Sequence, residues 1–131
     1  MILKVFTDGG AKGNPGSASI GIVFYLNGKK IFQRHKKIGV ATNNEAEYQA
    51  LITALEEIKK QKLTNINKIE CYSDSKLLVN QVNGIYKVKN SKIREYIMRI
   101  RIFENEIGLP INYYHILREK NQEADKLVNK L

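Results

Sequence analysis

The sequence predicts an α/β fold in which one mixed β-sheet is covered by helices. Two observations support this fold class. The first forty residues contain three β-branched and aromatic runs joined by turns, and the remaining residues alternate helical apolar stripes with two short strands. A strand meander followed by helix-linked strands is typical of a mixed sheet. With 131 residues, of which 43% are apolar, we expect one domain spanning 1–131.

Three consecutive strands are predicted near the N-terminus, over 2–7, 18–26 and 30–38. Asn27 and Gly28 predict a two-residue hairpin, because both central positions of a type I′ turn need positive φ. A cluster of turn-forming residues predicts that the first strand ends sharply after Asp8: Gly9, Gly10, Gly13, Asn14, Pro15 and Gly16. The third strand carries many basic residues, which indicates an exposed edge strand: Lys29, Lys30, Arg34, Lys36 and Lys37.

Helices and strands alternate in the rest of the chain. A helix over 42–60 is predicted from its apolar stripe, and Thr42 with Glu45 matches a capping box at its start. The further predicted elements are a strand at 68–73, a helix at 75–82, a loop at 83–90, a helix at 91–106, a strand at 111–117 and a helix at 121–131, with Ala124, Leu127, Val128 and Leu131 facing inward.

Four acidic residues occupy places that suggest chemistry. The three aspartates of the chain are Asp8 and Asp74, each predicted after a strand, and Asp125, beside the stripe of the last helix. Glu47 aligns with the buried edge of the first helix. Each has an ordinary alternative: Asp8 could start a turn, Asp74 could cap a helix, and Glu47 could favour a first helical turn. If strands one and four are neighbours, all four can form one cluster.

Such a cluster predicts a metal site. Carboxylates a few ångströms apart raise one another's pKa and destabilise the fold unless cations neutralise them. Ligands that are all oxygen suit Mg²⁺, or Mn²⁺, better than Zn²⁺. Two such ions can activate water and stabilise a leaving oxygen in phosphodiester hydrolysis. The predicted chemistry is therefore two-metal hydrolysis of a phosphodiester.

The charge of the chain favours a polyanionic partner. Lys and Arg number 22 against 13 acidic residues, giving a net charge of +9, although solubility alone could also explain a basic surface. The single Cys71 cannot form an internal disulfide, and there is neither a leader-like apolar segment nor a stretch long enough to span a bilayer. We therefore expect a cytoplasmic protein that does not contact membranes, with a monomer as the default.

Four stretches resemble type 1 ribonuclease H, in the order found in that family and over essentially the whole chain. They are TDGGAKGNPG at 7–16, TNNEAEYQAL at 42–51, YSDSKLL at 72–78 and REKNQEADKL at 118–127. The resemblance implies a five-stranded sheet in the order 3-2-1-4-5 with helices on both faces. It also implies cleavage of the RNA strand of RNA/DNA hybrids, leaving 3′-hydroxyl and 5′-phosphate ends.

The resemblance also assigns roles to individual residues. Four positions match the family's metal-binding carboxylates: Asp8, Glu47, Asp74 and Asp125. Two positions match residues that hold a phosphate of the DNA strand, Asn14 and Thr42. Asn43 and Asn44, with the backbone near Gly9 and Ala11, match the region that contacts the minor groove and the RNA 2′-hydroxyls. This kind of recognition predicts weak sequence preference.

The sequence departs from the best-known bacterial pattern in its last third. Many members carry a histidine in a loop before the last aspartate, whereas here Arg118 occupies the corresponding short segment and His115 falls inside a predicted strand. This compact form is similar to archaeal-type members. No basic protrusion follows the helix after Asp74. A few basic residues lie there instead: Lys87, Lys89, Lys92 and Arg94. They could contact substrate, or they could simply form a solvated face.

Two other function classes fit parts of the sequence. A non-catalytic nucleic-acid-binding module could keep the fold, but it would have no reason to keep all four carboxylates. Another nuclease on the same fold could keep the carboxylates, but the stretches at 7–16 and 42–51 resemble the hybrid-binding surface as well. These possibilities can be separated by testing which substrate the protein cleaves: RNA/DNA hybrid, duplex DNA or duplex RNA.

Overall fold

The structure, a computed structural model, describes residues 1–129. The strands are β1 (Ile2–Gly13), β2 (Gly16–Leu26), β3 (Lys29–Ala41), β4 (Lys68–Ser73) and β5 (Ile111–His115). The α-helices are α1 (Asn43–Gln61), α2 (Lys76–Val82), α3 (Ser91–Ile107) and α4 (Gln122–Asn129), and a 3₁₀ turn covers Arg118–Lys120.

The strands form one mixed sheet in the order β3-β2-β1-β4-β5, as predicted. The first three strands pair antiparallel, and β4 and β5 continue the sheet in parallel with β1. The hairpin between β2 and β3 turns at Asn27 and Gly28, whose φ angles are 52° and 74°, which confirms the predicted turn. The basic strand β3 lies at the edge of the sheet, also as predicted.

The predicted end of the first strand at Asp8 is wrong. β1 continues to Gly13, because the glycine-rich segment stays paired with β2 as far as the Gly13–Gly16 pair. Only Asn14 and Pro15 are left to turn the chain. However, the pairing of β1 with β4 stops at Thr7 and Ser73. Asp8 therefore lies in the middle of its own strand but at the point where two neighbouring strands separate.

Helices cover both faces of the sheet. The alternating side-chain directions along β1 show which helix lies on which face. A Cβ atom on Gly9 would lie 2.3 Å from the backbone of Ala46 in α1, whereas one on Gly10 would approach the Val128 side chain in α4 at 3.5 Å. Successive side chains of a strand point to opposite faces. α1 and α4 therefore pack on opposite sides of the strand that carries Asp8.

The main core lies between the sheet and α1. Leu3 and Val5 of β1 and Leu51 and Leu55 of α1 are fully or almost fully buried. α1 begins where predicted: the Thr42 hydroxyl accepts a hydrogen bond from the Glu45 N–H, and the Glu45 carboxylate accepts one from the Thr42 N–H. This capping box fixes the first turn of the helix that carries Glu47.

Two predicted boundaries differ near the remaining acids. Ser75, not Asp74, caps α2, since its hydroxyl accepts from the Leu78 N–H; this leaves the Asp74 carboxylate available for other contacts. β5 ends at His115 rather than at 117, because the chain turns into the 3₁₀ segment.

The final helix is described only as far as Asn129. The inward orientation predicted for Leu131 therefore lies outside the described residues. Among residues 1–129, no helix combines the length and the apolar character needed to cross a membrane.

Candidate active site

Three of the four predicted carboxylates meet in one cluster. Ligand oxygens of Asp8, Glu47 and Asp74 all lie within 4.8 Å of one another. Asp8 comes from β1, Glu47 from α1, and Asp74 directly follows β4. We call these three residues the carboxylate cluster.

The sheet brings the two aspartates together. Thr7 and Ser73 are the last paired residues of β1 and β4, so Asp8 and Asp74 are the next residues on two adjacent, parallel strands. Equivalent positions on adjacent parallel strands lie about 5 Å apart. The sequence prediction that strands one and four place these acids side by side is therefore confirmed.

Gly9 joins the third acid to the pair. Its N–H donates to the Glu47 Oε1 atom at 2.9 Å and to the Asp8 Oδ1 atom at 3.0 Å. The helix can come this close only because Gly9 has no Cβ, which would lie 2.3 Å from backbone atoms of Ala46. The glycine after Asp8 thus has a packing role that the sequence prediction of a turn did not identify.

The cluster raises the pKa of its members. Burial, followed by the negative charges of Asp74 and Asp125, raises the pKa of Asp8 from 3.8 to about 8. Burial, followed by the charges of Asp8 and Asp74, raises the pKa of Glu47 well above its ordinary value. Asp8 and Glu47 are only 6% and 9% exposed. Burial and like charge therefore disfavour ionisation of both groups, and a bound cation would offset this effect.

Asp125 lies next to the cluster. It adjoins Asp8 and lines the same cavity of about 450 Å³ as the three clustered acids. Arg118 also lines this cavity, and its Nη2 atom lies 3.3 Å from the Asp125 Oδ1 atom. The segment that was predicted to replace the loop histidine is thus beside the acids, whereas His115 is the last residue of β5 and does not line the cavity.

The residues predicted to contact substrate form a hydrogen-bonded group at the start of α1. The Asn43 Oδ1 atom accepts from the Ala11 N–H, and the Asn14 Oδ1 atom accepts from the Asn43 N–H, both at 2.9 Å. Gly9, Ala11 and Asn43 line the carboxylate cavity. Asn14, Thr42 and Asn44 lie outside its lining. Thr42 caps α1, and the buried Asn44 Oδ1 atom has no hydrogen-bond partner within residues 1–129.

The four basic residues predicted as substrate contacts in the loop before α3 and in its first turn lie outside the cavity. Lys87 and Lys89 are exposed in the loop before α3. Lys92 pairs with Glu45 at 2.8 Å, and the Arg94 Nε–H donates to the carbonyl of Val88. Two of the four predicted basic contacts are therefore engaged in holding the start of α3.

Sequence reasoning missed three residues around the site. Lys12 and Lys37 line the cavity; Lys37 had been explained by edge protection alone. Asn121 lies beneath the cluster and donates its Nδ2–H to the Thr7 carbonyl and to Asp74. No periodic pattern identifies Asn121, because a polar residue before a helix is most simply a cap.

A second, larger cavity of about 790 Å³ is lined by residues that include Met1, Phe6, Tyr25 and Asn121. None of the four predicted carboxylates lines it. The smaller cavity, which the four predicted carboxylates line, is therefore the candidate active site.

The cluster fits a divalent metal. It offers only carboxylate oxygens, the ligands that Mg²⁺ and Mn²⁺ prefer. Its acids are buried and lie close enough together to raise one another's pKa. A bound cation would remove the repulsion between the ionised carboxylates. The donor set and its burial thus both suit a hard cation.

Comparisons with known proteins identify the family of this chain. A family model described as reverse transcriptase-like matches residues 6–131. The bifunctional protein Rv2228c of Mycobacterium tuberculosis is 34% identical over 131 residues, which cover 98% of this chain and 35% of that protein. Ribonuclease HI of Halobacterium salinarum is 35% identical over 130 residues, which cover 98% of this chain and 63% of that protein.

A solved structure shows the same fold. LC11-RNase H1, determined in complex with an RNA/DNA hybrid, matches with a TM-score of 0.91 and 41% identity over 98% of this chain and 94% of that chain. The chain spans about a third of the mycobacterial relative and less than two thirds of the halobacterial one. The fold, the carboxylate cluster and these similarities agree: the chain belongs to the type 1 ribonuclease H family, and the family model that matches it is described as reverse transcriptase-like.

Proposed function

We propose that this chain is a metal-dependent endoribonuclease that hydrolyses the RNA strand of RNA/DNA hybrids, leaving 3′-hydroxyl and 5′-phosphate ends. The observation that carries the proposal is the cluster of Asp8, Glu47 and Asp74 within 4.8 Å on a chain of net charge +9. A basic surface attracts the polyanion, and an acidic centre holds the cations that act on it.

The proposed cofactor is Mg²⁺, with Mn²⁺ as a substitute, and two ions act together when substrate is bound. Asp8, Glu47 and Asp74 would hold one ion, and Asp8 with Asp125 the other. When bound, such ions supply an activated water and stabilise the leaving 3′-oxygen. The chain itself holds the carboxylates in place: the Gly9 N–H orients Asp8 and Glu47, and α4 carries Asp125 against β1 and β2.

The substrate preference is proposed to come from the start of α1. Asn43 lines the carboxylate cavity with the backbone of Gly9 and Ala11, where small residues leave room for a duplex. Asn43 and Asn44 would contact the minor groove and RNA 2′-hydroxyls, and Asn14 and Thr42 a DNA-strand phosphate. Arg118, Lys87 and Lys89 would be accessory contacts. LC11-RNase H1, whose structure contains an RNA/DNA hybrid, supports the hybrid as the substrate class.

The test is a gel assay of hybrids labelled on either strand, with Mg²⁺, Mn²⁺ or EDTA. We expect metal-dependent cutting confined to the RNA strand. Asp74→Asn should lower the cleavage rate by more than about 100-fold. Losing a residue that only supports a metal ligand costs up to about 100-fold, and this substitution removes a proposed ligand itself. Glu95→Gln, which changes an exposed acid of α3, is the control and should keep the wild-type rate.

Other outcomes would identify a different function. Cleavage of duplex DNA in preference to hybrid would favour another nuclease of the same fold. Folded wild-type protein that binds hybrid but cuts no substrate with either metal would favour the non-catalytic binding module. Normal cleavage by folded Asp74→Asn would contradict the proposed metal site.

The remaining proposals concern the whole protein. We infer that residues 1–131 act as one catalytic domain, that the chain works as a monomer, and that it acts in the cytoplasm without membrane contact. The single buried cysteine is consistent with a reducing compartment. Size-exclusion chromatography with light scattering would test the monomer.

A further inference from the structure

Asn121 occupies the point where β1 and β4 separate. Its Nδ2 atom lies 2.8 Å from the carbonyl oxygen of Thr7 and 3.3 Å from the Asp74 Oδ2 atom. Thr7 is the last residue of β1 that pairs with β4. One side-chain amide therefore joins the end of the strand pairing to a carboxylate of the cluster.

Asn121 is also tied to the helix that carries Asp125. Its backbone carbonyl accepts the N–H of Asp125 at 3.1 Å, and its own N–H donates to the Arg118 carbonyl at 2.9 Å. The residue thus contacts β1, the acid after β4 and the first turn of α4.

The burial of Asn121 carries a cost that its packing does not explain. The residue is 1% exposed, and its Oδ1 atom is buried without a hydrogen-bond partner among residues 1–129. Leaving a buried acceptor unpaired destabilises the folded state. An apolar side chain of the same size would avoid that cost but could not donate to Asp74.

We propose that Asn121 is a positioning residue, whose amide holds the Asp74 carboxylate in the orientation that binds metal. The amide engages one carboxylate oxygen of Asp74 and leaves the other available. Outer-shell partners of this kind typically change metal affinity or activity by 10–100-fold when removed. The inference rests on the proposed function for its kinetic consequence but not for its effect on metal binding.

The primary experiment measures Mn²⁺ binding to the protein alone, by electron paramagnetic resonance of free Mn²⁺. We expect Asn121→Ala to weaken binding by about 10-fold or more. On RNA/DNA hybrid at saturating Mg²⁺, the same variant should lower kcat while KM changes less than twofold. Urea unfolding of each variant measures the structural contribution separately.

Asn83→Ala is the matched control. The Asn83 side-chain amide also donates to a strand carbonyl, that of Tyr113, at 3.1 Å, but it contacts no acid of the cluster. It should lower the free energy of unfolding without changing Mn²⁺ affinity. Asn121→Leu is the second variant, because it keeps the branched shape and removes the unpaired oxygen together with the amide donor; it should fold and still bind Mn²⁺ weakly.

Each result decides the inference. Weaker Mn²⁺ binding in folded Asn121→Ala or Asn121→Leu, with Asn83→Ala normal, supports it. Unchanged Mn²⁺ affinity in a folded Asn121 variant overturns it and leaves Asn121 with a structural role only. Wild-type protein that binds Mn²⁺ but cleaves no hybrid would refute the proposed function. The Mn²⁺ affinities of the wild type and the Asn121 variants would still test the role of Asn121.

Discussion

The Asp8 carboxyl group lies in the interior beside two other acids, and this placement makes the metal-free protein sensitive to pH. Its pKa is raised to about 8 from 3.8, so the folded state keeps a proton that the unfolded chain releases. The unfolded state then binds fewer protons between these values, and stability falls as pH rises through them. Above about pH 8 both states are ionised, and the loss is complete.

We predict that the free energy of unfolding in EDTA is lower at pH 8 than at pH 5. Asp8→Asn should remove much of this difference and stabilise the metal-free protein at pH 8, because it removes a carboxylate whose ionisation is disfavoured by burial and by the neighbouring acids. Urea unfolding at both pH values measures the effect. Glu95→Gln should leave the difference unchanged, and equal stability of the wild type at both pH values would contradict the prediction.

The N-terminus of α1 has two tasks at the scale of a whole element. Its capping box fixes the helix that carries Glu47, and the same turn holds Asn43 at the edge of the carboxylate cavity. Thr42 was predicted from the family resemblance to hold a phosphate, yet its hydroxyl already accepts the Glu45 N–H. A hydroxyl can accept one hydrogen bond and donate another, so the two roles are compatible.

Thr42→Ala should separate these roles. Loss of the cap should lower the free energy of unfolding by about 1 kcal/mol, and loss of the phosphate contact should raise KM for hybrid. Asn90→Ala removes the matching cap of α3, whose side chain accepts from Lys92 and Ile93, and should lower stability without changing KM. If both variants shift KM equally, Thr42 has only the capping role.

The elements show how far the sequence could predict this structure. Local periodicity placed Asp74 after a strand and Glu47 at a helix edge, whereas the strand order that brings these acids to Asp8 was implied by the family resemblance. The true end of β1 was not predictable, since Gly9 to Gly13 have turn-forming composition and only pairing with β2 keeps them extended. Asn121 was missed for a similar reason: its partners Thr7 and Asp74 are distant in sequence.

The charge of the whole molecule should govern how it binds nucleic acid. The net charge is +9, and Lys12, Lys37 and Arg118 lie around the cavity that contains the acids. Binding that depends on contacts between such residues and phosphates releases counterions and weakens with salt. An affinity measured at a single salt concentration would therefore say little about specificity.

We predict that hybrid binding weakens by roughly 100-fold between about 50 and 200 mM salt, the change expected for about four phosphate contacts. Fluorescence anisotropy with Asp74→Asn in EDTA measures binding without cleavage. Replacing Lys12 and Lys37 together by Gln in that background should reduce the slope of log affinity against log salt by about 2. Lys60→Gln, at the far end of α1, should not change it, and a flat salt dependence would refute the prediction.

The distribution of the acids along the chain determines when the site can form. Asp8 lies near one end of the sequence, Asp125 near the other, and Glu47 and Asp74 between them, each on a different element. Contacts between distant segments form late in folding, because loop closure must precede them. A partly folded chain would therefore lack the complete set of four acids that the proposed metal site needs. The proposed hydrolysis should accordingly require the fully folded chain.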